Sequence, residues 1–222
     1  MNSAAKSVEL FNVQMRRGAQ CLFSAPLNVR MTSGRLNILV GKNGSGKSSL
    51  LDIVTMRVRL PDGAREQRVG HSQSIEIAYL PQQLWDVFDI RVEDIAALAC
   101  KGARDCDFAG RSEFKVLKSR SRMDLGELSG GQRQLFLFGL VSSQKKGVFV
   151  YDEPFRHLDE DATGCVTKII ESQVLRGDLV IVSEHSWIAR WKVECSRIEL
   201  AGASPVNECN VFGGVSKASM TS

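Results

Sequence analysis

The run Gly41-Lys42-Asn43-Gly44-Ser45-Gly46-Lys47-Ser48 lies between an apolar segment, Arg35 to Val40, and a segment of helical character that starts at Ser48 and carries Leu50, Leu51, Ile53 and Val54. It fits the pattern G-x-x-x-x-G-K-[ST], in which a buried strand ends, the backbone wraps an anion and a helix departs. A triphosphate needs many donors at close range, and glycines let backbone N–H groups converge on it without side-chain obstruction. The helix beginning after Gly46 adds the positive end of its dipole. Lys47 would place a cation on the β and γ phosphates, and Ser48 would offer a hydroxyl to Mg²⁺.

The rest of the chain supplies the frame that such a loop requires. Val8 to Val13, Ala25 to Met31 and Ile75 to Leu80, the last closed by Pro81, read as strands, and Pro61-Asp62-Gly63 as a turn. From Leu84 to about Glu127 the character changes to helical segments, around Val92 to Cys100 and Ser112 to Ser119, between polar loops; this predicts a small helical lobe inserted into the larger domain. Gln132 to Ser143 is then helical, Gly147 to Tyr151 a strand, Glu160 to Leu175 an amphipathic helix and Leu179 to Ser183 a strand. Ser196 to Leu200 and Asn210 to Phe212 suit two more short strands, before a polar tail from Gly214 to Ser222 that is expected to be loose. Strands alternating with helices predict an α/β fold, with a mostly parallel sheet covered on both faces.

Composition excludes several alternatives. With 222 residues, 43% of them hydrophobic and 24% charged, the chain has the balance of a soluble globular protein large enough for one full domain without disulfides or a structural metal. The apolar stretch Leu135 to Val141 is far short of the ~20 residues that span a bilayer, and the polar start Met1 to Ser7 lacks the apolar core of a secretion signal, so a cytoplasmic protein is expected. Cys21, Cys100, Cys106, Cys165, Cys195 and Cys209 show no metal-ligand spacing and read as reduced thiols. A net charge of +4 suits an anionic ligand or headgroup surface but is too mild to argue for nucleic acid.

A second chemical feature ends the apolar run Val148 to Tyr151: two adjacent acids, Asp152 and Glu153. The C-terminal edge of a parallel sheet is where loops and helix N-termini gather a ligand. Beside a phosphate loop, Asp152 would hold the Mg²⁺ and Glu153 would act as general base or polarise the attacking water. A third feature, Leu128-Ser129-Gly130-Gly131-Gln132, starts a helix with a serine and two glycines and is a second anion site.

At these residues the sequence resembles the ATP-binding cassette (ABC) ATPases, in which this pentapeptide is the signature motif, and the resemblance runs from about residue 8 to residue 200. It implies a P-loop NTPase fold of ABC type, with a mostly parallel sheet and flanking helices, an N-terminal antiparallel β subdomain and an inserted helical subdomain. The whole chain, 1–222, would be a single ABC domain: 1–83 and 133–213 form the catalytic core, 84–132 the helical subdomain with the signature, and 214–222 a flexible tail. ATP would contact Gly41, Asn43, Gly44, Ser45, Gly46, Lys47, Ser48 and Ser49 of one subunit, and Ser129, Gly130, Gly131 and Gln132 of a second. Mg²⁺ would be held by Ser48, Asp152 and Gln82. Glu153, His185 and Gln82 would be catalytic, with Gln83 the adjacent alternative for the glutamine-loop residue, and Leu158-Asp159 would join the two sites across a dimer through Asp159. His71 and His157 read as loop residues.

The chain departs from the family pattern at three places. The early loop, Met15-Arg16-Arg17-Gly18, has no aromatic to stack on adenine; the guanidinium of Arg16 could stack there, and base preference stays open. Phe155, Arg156 and His157 are bulkier than usual before Leu158-Asp159, and Glu184 precedes His185 where a small hydroxyl residue is common.

The resemblance further implies that two copies close head to tail around two ATP molecules and reopen on hydrolysis. ATP can drive a partner only if open and closed forms bind it differently, which the second anion site provides. The chain is therefore expected to be the motor subunit of a membrane transporter, cytoplasmic and peripheral on the cytoplasmic face of the membrane. Its partners would be a second cassette, in a homodimer or heterodimer, and integral membrane subunits, with no direct nucleic acid. Asp89 to Ile95 is similar to the segment after the glutamine loop of importer cassettes, although it reads first as a helix start with capping acids, while Lys115, Lys118, Arg120 and Arg122 suit a solvated lobe surface. The competing class is a soluble ABC ATPase acting on nucleic acid or ribosomes; against it, no heptads fill the short stretch between Lys47 and Leu128, and neither a Cys-x-x-Cys module nor a second cassette is present. Cargo and direction of transport are not encoded here.

Overall fold

Apolar runs that are too short for helices and flanked by turns become the strands of a parallel sheet. A computed structural model describes residues 6–17, 20–23, 25–69, 76–82, 89–101, 120–186 and 191–200. The strands are β1 Ser7–Val13, β2 Arg16–Arg17, β3 Gln20–Cys21, β4 Leu27–Thr32, β5 Leu36–Val40, β6 Arg65–Val69, β7 Ile77–Leu80, β8 Val148–Asp152, β9 Leu179–Glu184 and β10 Cys195–Glu199. The helices are α1 Lys47–Val54, α2 Val92–Lys101, α3 Gly130–Ser142 and α4 Glu160–Leu175, with a 3-10 turn at Leu125–Glu127. Five parallel strands run in the order β10-β5-β9-β8-β7, and an antiparallel sheet in the order β4-β1-β6.

The parallel sheet is buried on both faces, which is why its strands read as continuous apolar runs. Leu36, Ile38, Phe149, Tyr151, Val180 and Val182 point to a core shared with Phe136 and Phe138 of α3 and Val166, Ile169 and Ile170 of α4. Leu39, Val148, Val150, Leu179 and Ile181 point the other way, to Leu50, Leu51 and Ile53 of α1 and to Val8, Leu10, Val29 and Met31 of the antiparallel sheet. The antiparallel sheet faces water on one side, so β4 alternates: Leu27, Val29 and Met31 are buried, while Asn28 and Arg30 are exposed.

One polar side chain joins the two sheets. Asn37, fully buried in β5, donates through Nδ2 to the carbonyls of Thr32 at 2.9 Å, Val180 at 3.0 Å and Arg35 at 3.3 Å, and accepts from the Thr32 N–H at 3.1 Å. Nothing in the residue order marks it, because its partners are main-chain groups.

Two elements are additions to the expected pattern. Strand β6, Arg-Glu-Gln-Arg-Val, pairs with β1 from Phe11↔Arg65 to Ser7↔Val69. It is an edge strand of mostly charged and polar sequence, so hydropathy carries no trace of it. The hairpin of β2 and β3 is likewise two residues a side. The described parts of the expected helical lobe are α2 with its approach and the stretch from residue 120 to α3, tied together by Val92 N–H to Met123 O at 3.0 Å and Leu125 N–H to Ile90 O at 2.9 Å. Val92, Leu125 and Leu128 belong to the same core as the sheet face that packs on α3 and α4. The expected helix Ser112 to Ser119, the strand Asn210 to Phe212, the tail, His71 and Gln83 lie outside the described residues. Among the described residues Cys165 and Cys195 form no disulfide, no group of side chains has a metal-holding arrangement of His, Cys, Asp and Glu, and no helix is long and apolar enough to cross a membrane.

Candidate functional site

The C-terminal ends of β5, β7, β8 and β9 meet at one edge of the sheet. Strand β5 leads into Gly41, β7 into Gln82, β8 ends at Asp152 before Glu153, and β9 ends at Glu184 before His185. The registers Val40↔Glu184 and Asp152↔Ser183 align these ends.

The loop from Gly41 to Ser48 is the floor of the site. Gly46, at φ 96°, caps α1, and a Cβ there would lie 2.7 Å from Cε1 of Phe23, whose buried ring supports the loop from beneath. Lys47 is only 6% exposed, and its ammonium donates to the carbonyls of Gly41 at 2.6 Å and Lys42 at 3.3 Å. Above the loop is a cleft of about 420 Å³, lined by Asn43 to Ser49, by Gln82 and Glu153, and on its flank by Met15 and Leu22. Both flanking side chains are apolar. The Arg16 side chain lies outside the described residues.

Two side chains separated in the sequence converge on one carboxylate. Gln82 Nε2 donates to Glu153 Oε2 at 2.8 Å, and His185 Nε2 lies 3.0 Å from Glu153 Oε1. Glu153 is 7% exposed and adopts φ 51°, in the left-handed region. Its N–H donates to Ser183 Oγ at 3.0 Å, and the same hydroxyl donates to Asp152 Oδ1. Ser183 therefore fixes both acids, although its only mark in the sequence is one hydroxyl at the end of an apolar run.

Asp152 is 1% exposed, and burial pushes its carboxyl above the ordinary carboxylate range; the hydrogen bonds from Ser183 and Ser48 oppose that shift, the charge of Glu153 reinforces it and that of Lys47 opposes it. A buried carboxylate beside the Ser48 hydroxyl is an oxygen donor set of the kind a hard divalent cation takes, and a cation there would relieve the burial of the charge. The residues present therefore fit Mg²⁺. On the sheet behind, burial and the charges of Asp152 and Asp52 push the Tyr79 phenol up, with Arg57 5.2 Å above its ring partly opposing them.

The signature residues do not line this cleft. Ser129 caps α3, accepting from the Gln132 N–H at 3.3 Å, while Gln132 Oε1 accepts from the Ser129 N–H at 3.1 Å and from Arg120 at 3.2 Å. Ser129 and Gly130 are exposed, and a Cβ on Gly131 would sit 2.5 Å from the His157 carbonyl, so only glycine allows the loop after Glu153 to approach this turn so closely. Asp159 is exposed and caps α4 by accepting from the Ala162 N–H at 2.8 Å. His157 is a loop residue as expected, but one packed on the signature glycines.

A protein-family model described as ABC transporter matches residues 25–156. The zinc import ATP-binding protein ZnuC of Psychrobacter cryohalolentis is 27% identical over 199 residues, covering 86% of this chain and 79% of its own. The cytochrome c biogenesis ATP-binding export protein CcmA of Rhizobium etli is 26% identical over 186 residues, covering 78% and 86% respectively. Among solved structures, a putative ABC transporter ATP-binding protein from Pyrococcus furiosus has the same fold, with a TM-score of 0.71 over 87% of this chain and 97% of that one at 20% identity. These relatives are named for transport or export, and none of them for nucleic acid or ribosomes. With the phosphate loop, the paired acids and the signature all in place, the chain belongs to the ABC transporter family, as an ATP-binding and ATP-hydrolysing subunit that powers a transporter.

Proposed function

We propose that the cleft holds one ATP on the loop from Gly41 to Ser49, and that Ser129, Gly130, Gly131 and Gln132 of a second cassette complete it. The observation that carries this reading is the convergence of Gln82 and His185 on Glu153 beside the cleft, while the signature turn stands exposed outside it. Glu153 would accept the proton of a water that attacks the γ-phosphorus, as ADP and phosphate separate. His185 and Gln82 hold its two oxygens, and Lys47 exchanges its carbonyl partners for phosphate oxygens. Mg²⁺ held by Ser48, Asp152 and Gln82 would supply charge neutralisation on the phosphates. Residues 84–132 would form the helical subdomain on a core of 1–83 and 133–213, and Asp159 would couple the paired sites.

In this reading the chain is an importer-type subunit, peripheral on the cytoplasmic face of a membrane and coupled to integral membrane subunits. Its similarity to ZnuC over 86% of the chain supports that direction. The test is Glu153→Gln. It should bind ATP, lose turnover by a factor of about 10²–10⁴ and accumulate an ATP-dependent dimer in size-exclusion chromatography with light scattering. Wild-type hydrolysis, or a monomer at saturating ATP, would refute it.

A further inference from the structure

We propose that Gln134 is a positioning residue for hydrolysis: from the helix that displays the signature turn, it fixes the backbone on which the Glu153 carboxylate is mounted. Glu153 has φ 51°, and a non-glycine residue in that region costs on the order of 1–2 kcal/mol unless its surroundings hold it there. The restraints are specific. The Glu153 N–H is held by Ser183 at 3.0 Å; its carbonyl accepts from the Arg156 N–H at 3.2 Å and from Gln134 Nε2 at 3.4 Å; and Gln134 Nε2 also reaches the Pro154 carbonyl at 3.3 Å. A single amide thus holds two successive carbonyls, the second on a proline whose φ is fixed.

The origin of this contact gives it its meaning. Gln134 lies in the first turns of α3, whose N-cap is Ser129, whereas Ser183 lies on β9. The backbone of Glu153 is therefore strung between the rigid sheet and the helix that begins with the signature. Ser129 and Gln134 belong to one helix, so a shift of the Ser129 turn on meeting a neighbour's nucleotide would reach Glu153 through Gln134. This inference rests on Glu153 being the general base.

The experiment is Gln134→Met, which keeps the length and removes the donor, with Gln134→Leu as the second variant. In steady-state hydrolysis kcat should fall about tenfold, while KM and the Kd for ATP stay within about twofold. Each substitution is then combined with Glu153→Gln. If Gln134 acts through that carboxylate, the residual rate of Glu153→Gln should not fall further in the double variant, whereas a general packing defect would lower it by the same factor again. Unchanged kcat in both single variants, a matching rise in KM, or additive losses would overturn the assignment. If Glu153→Gln itself hydrolyses ATP normally, the general-base reading fails; if it is inactive while Gln134→Met and Gln134→Leu turn over like the wild type, only the role of Gln134 fails.

Discussion

The loop from Gly41 to Ser48 is set among four strand ends of a sheet buried on both faces, with Phe23 beneath it and Lys47 folded onto its carbonyls. The turn from Ser129 to Gln132 caps itself: its serine and glutamine close a reciprocal box on the surface, and Ser129 and Gly130 remain exposed. Both lie at helix N-termini, where backbone N–H groups suit an anion. Beside the first, Gln82, Asp152, Glu153 and His185 are already assembled. The other has a donor end and no catalytic group. The difference predicts that a protomer binds nucleotide by itself and that the second turn acquires chemistry only against another molecule.

That contrast breaks most cleanly with a pair of substitutions. Ser129→Arg should lower turnover by about 10²–10³, as expected when a donor to transition-state charge is removed, while ATP affinity of the dilute protomer stays the same. Lys47→Ala should weaken ATP binding about a hundredfold, since a hydrogen bond to a charged group is worth about 1.5–3 kcal/mol. Isothermal calorimetry and a phosphate-release assay on both variants check the pair. Loss of protomer affinity in Ser129→Arg would erase the distinction between the two turns.

How legible each half was depends on whether its chemistry is local. The phosphate loop, the acid pair and the signature turn are contiguous residues with fixed spacing, so residue order displays them. The meeting of Gln82 with Glu153 needed the family resemblance, because the partners are 71 residues apart and only the parallel register of β7 with β8 brings them together. Ser183, Asn37 and Gln134 stayed hidden for a related reason: each acts largely on main-chain groups of a distant segment, and a single polar residue in a strand or helix carries no period. Strand β6 was hidden because charged edge strands leave no apolar alternation.

Asn37 sharpens the contrast from below, since it ties the antiparallel sheet to the strand that leads into the phosphate loop. Asn37→Leu should leave the Thr32 N–H and the Thr32 and Val180 carbonyls short of a partner and cost about 2–4 kcal/mol, read as a drop in the midpoint of urea unfolding. An unchanged midpoint would mean that the sheets are joined by packing alone.

The smallest expected effect concerns the cost of keeping the first site prepared. Burial raises the folded-state pKa of Asp152 above its unfolded value, so the native chain binds that proton more tightly than the unfolded chain does. The contribution to stability is therefore full below the unfolded carboxylate range and is lost as pH rises through the folded value, above which the buried acid carries its charge. Asp152→Asn keeps an acceptor for Ser183 and removes that charge. In nucleotide-free and metal-free buffer at neutral pH it should unfold roughly 2–4 °C higher than the wild type, the shift that about 1 kcal/mol gives in a chain of this size. The gain should shrink toward zero as the pH is lowered to about 4, where the unfolded carboxyl also takes up its proton. Mg²⁺ with ATP should then stabilise the wild type more than the variant, because only the wild type has a charge for the cation to neutralise. Thermal melts at three pH values decide it: a variant no more stable than the wild type at neutral pH would show that the acid is already compensated within the chain, and that the first site stands ready without strain.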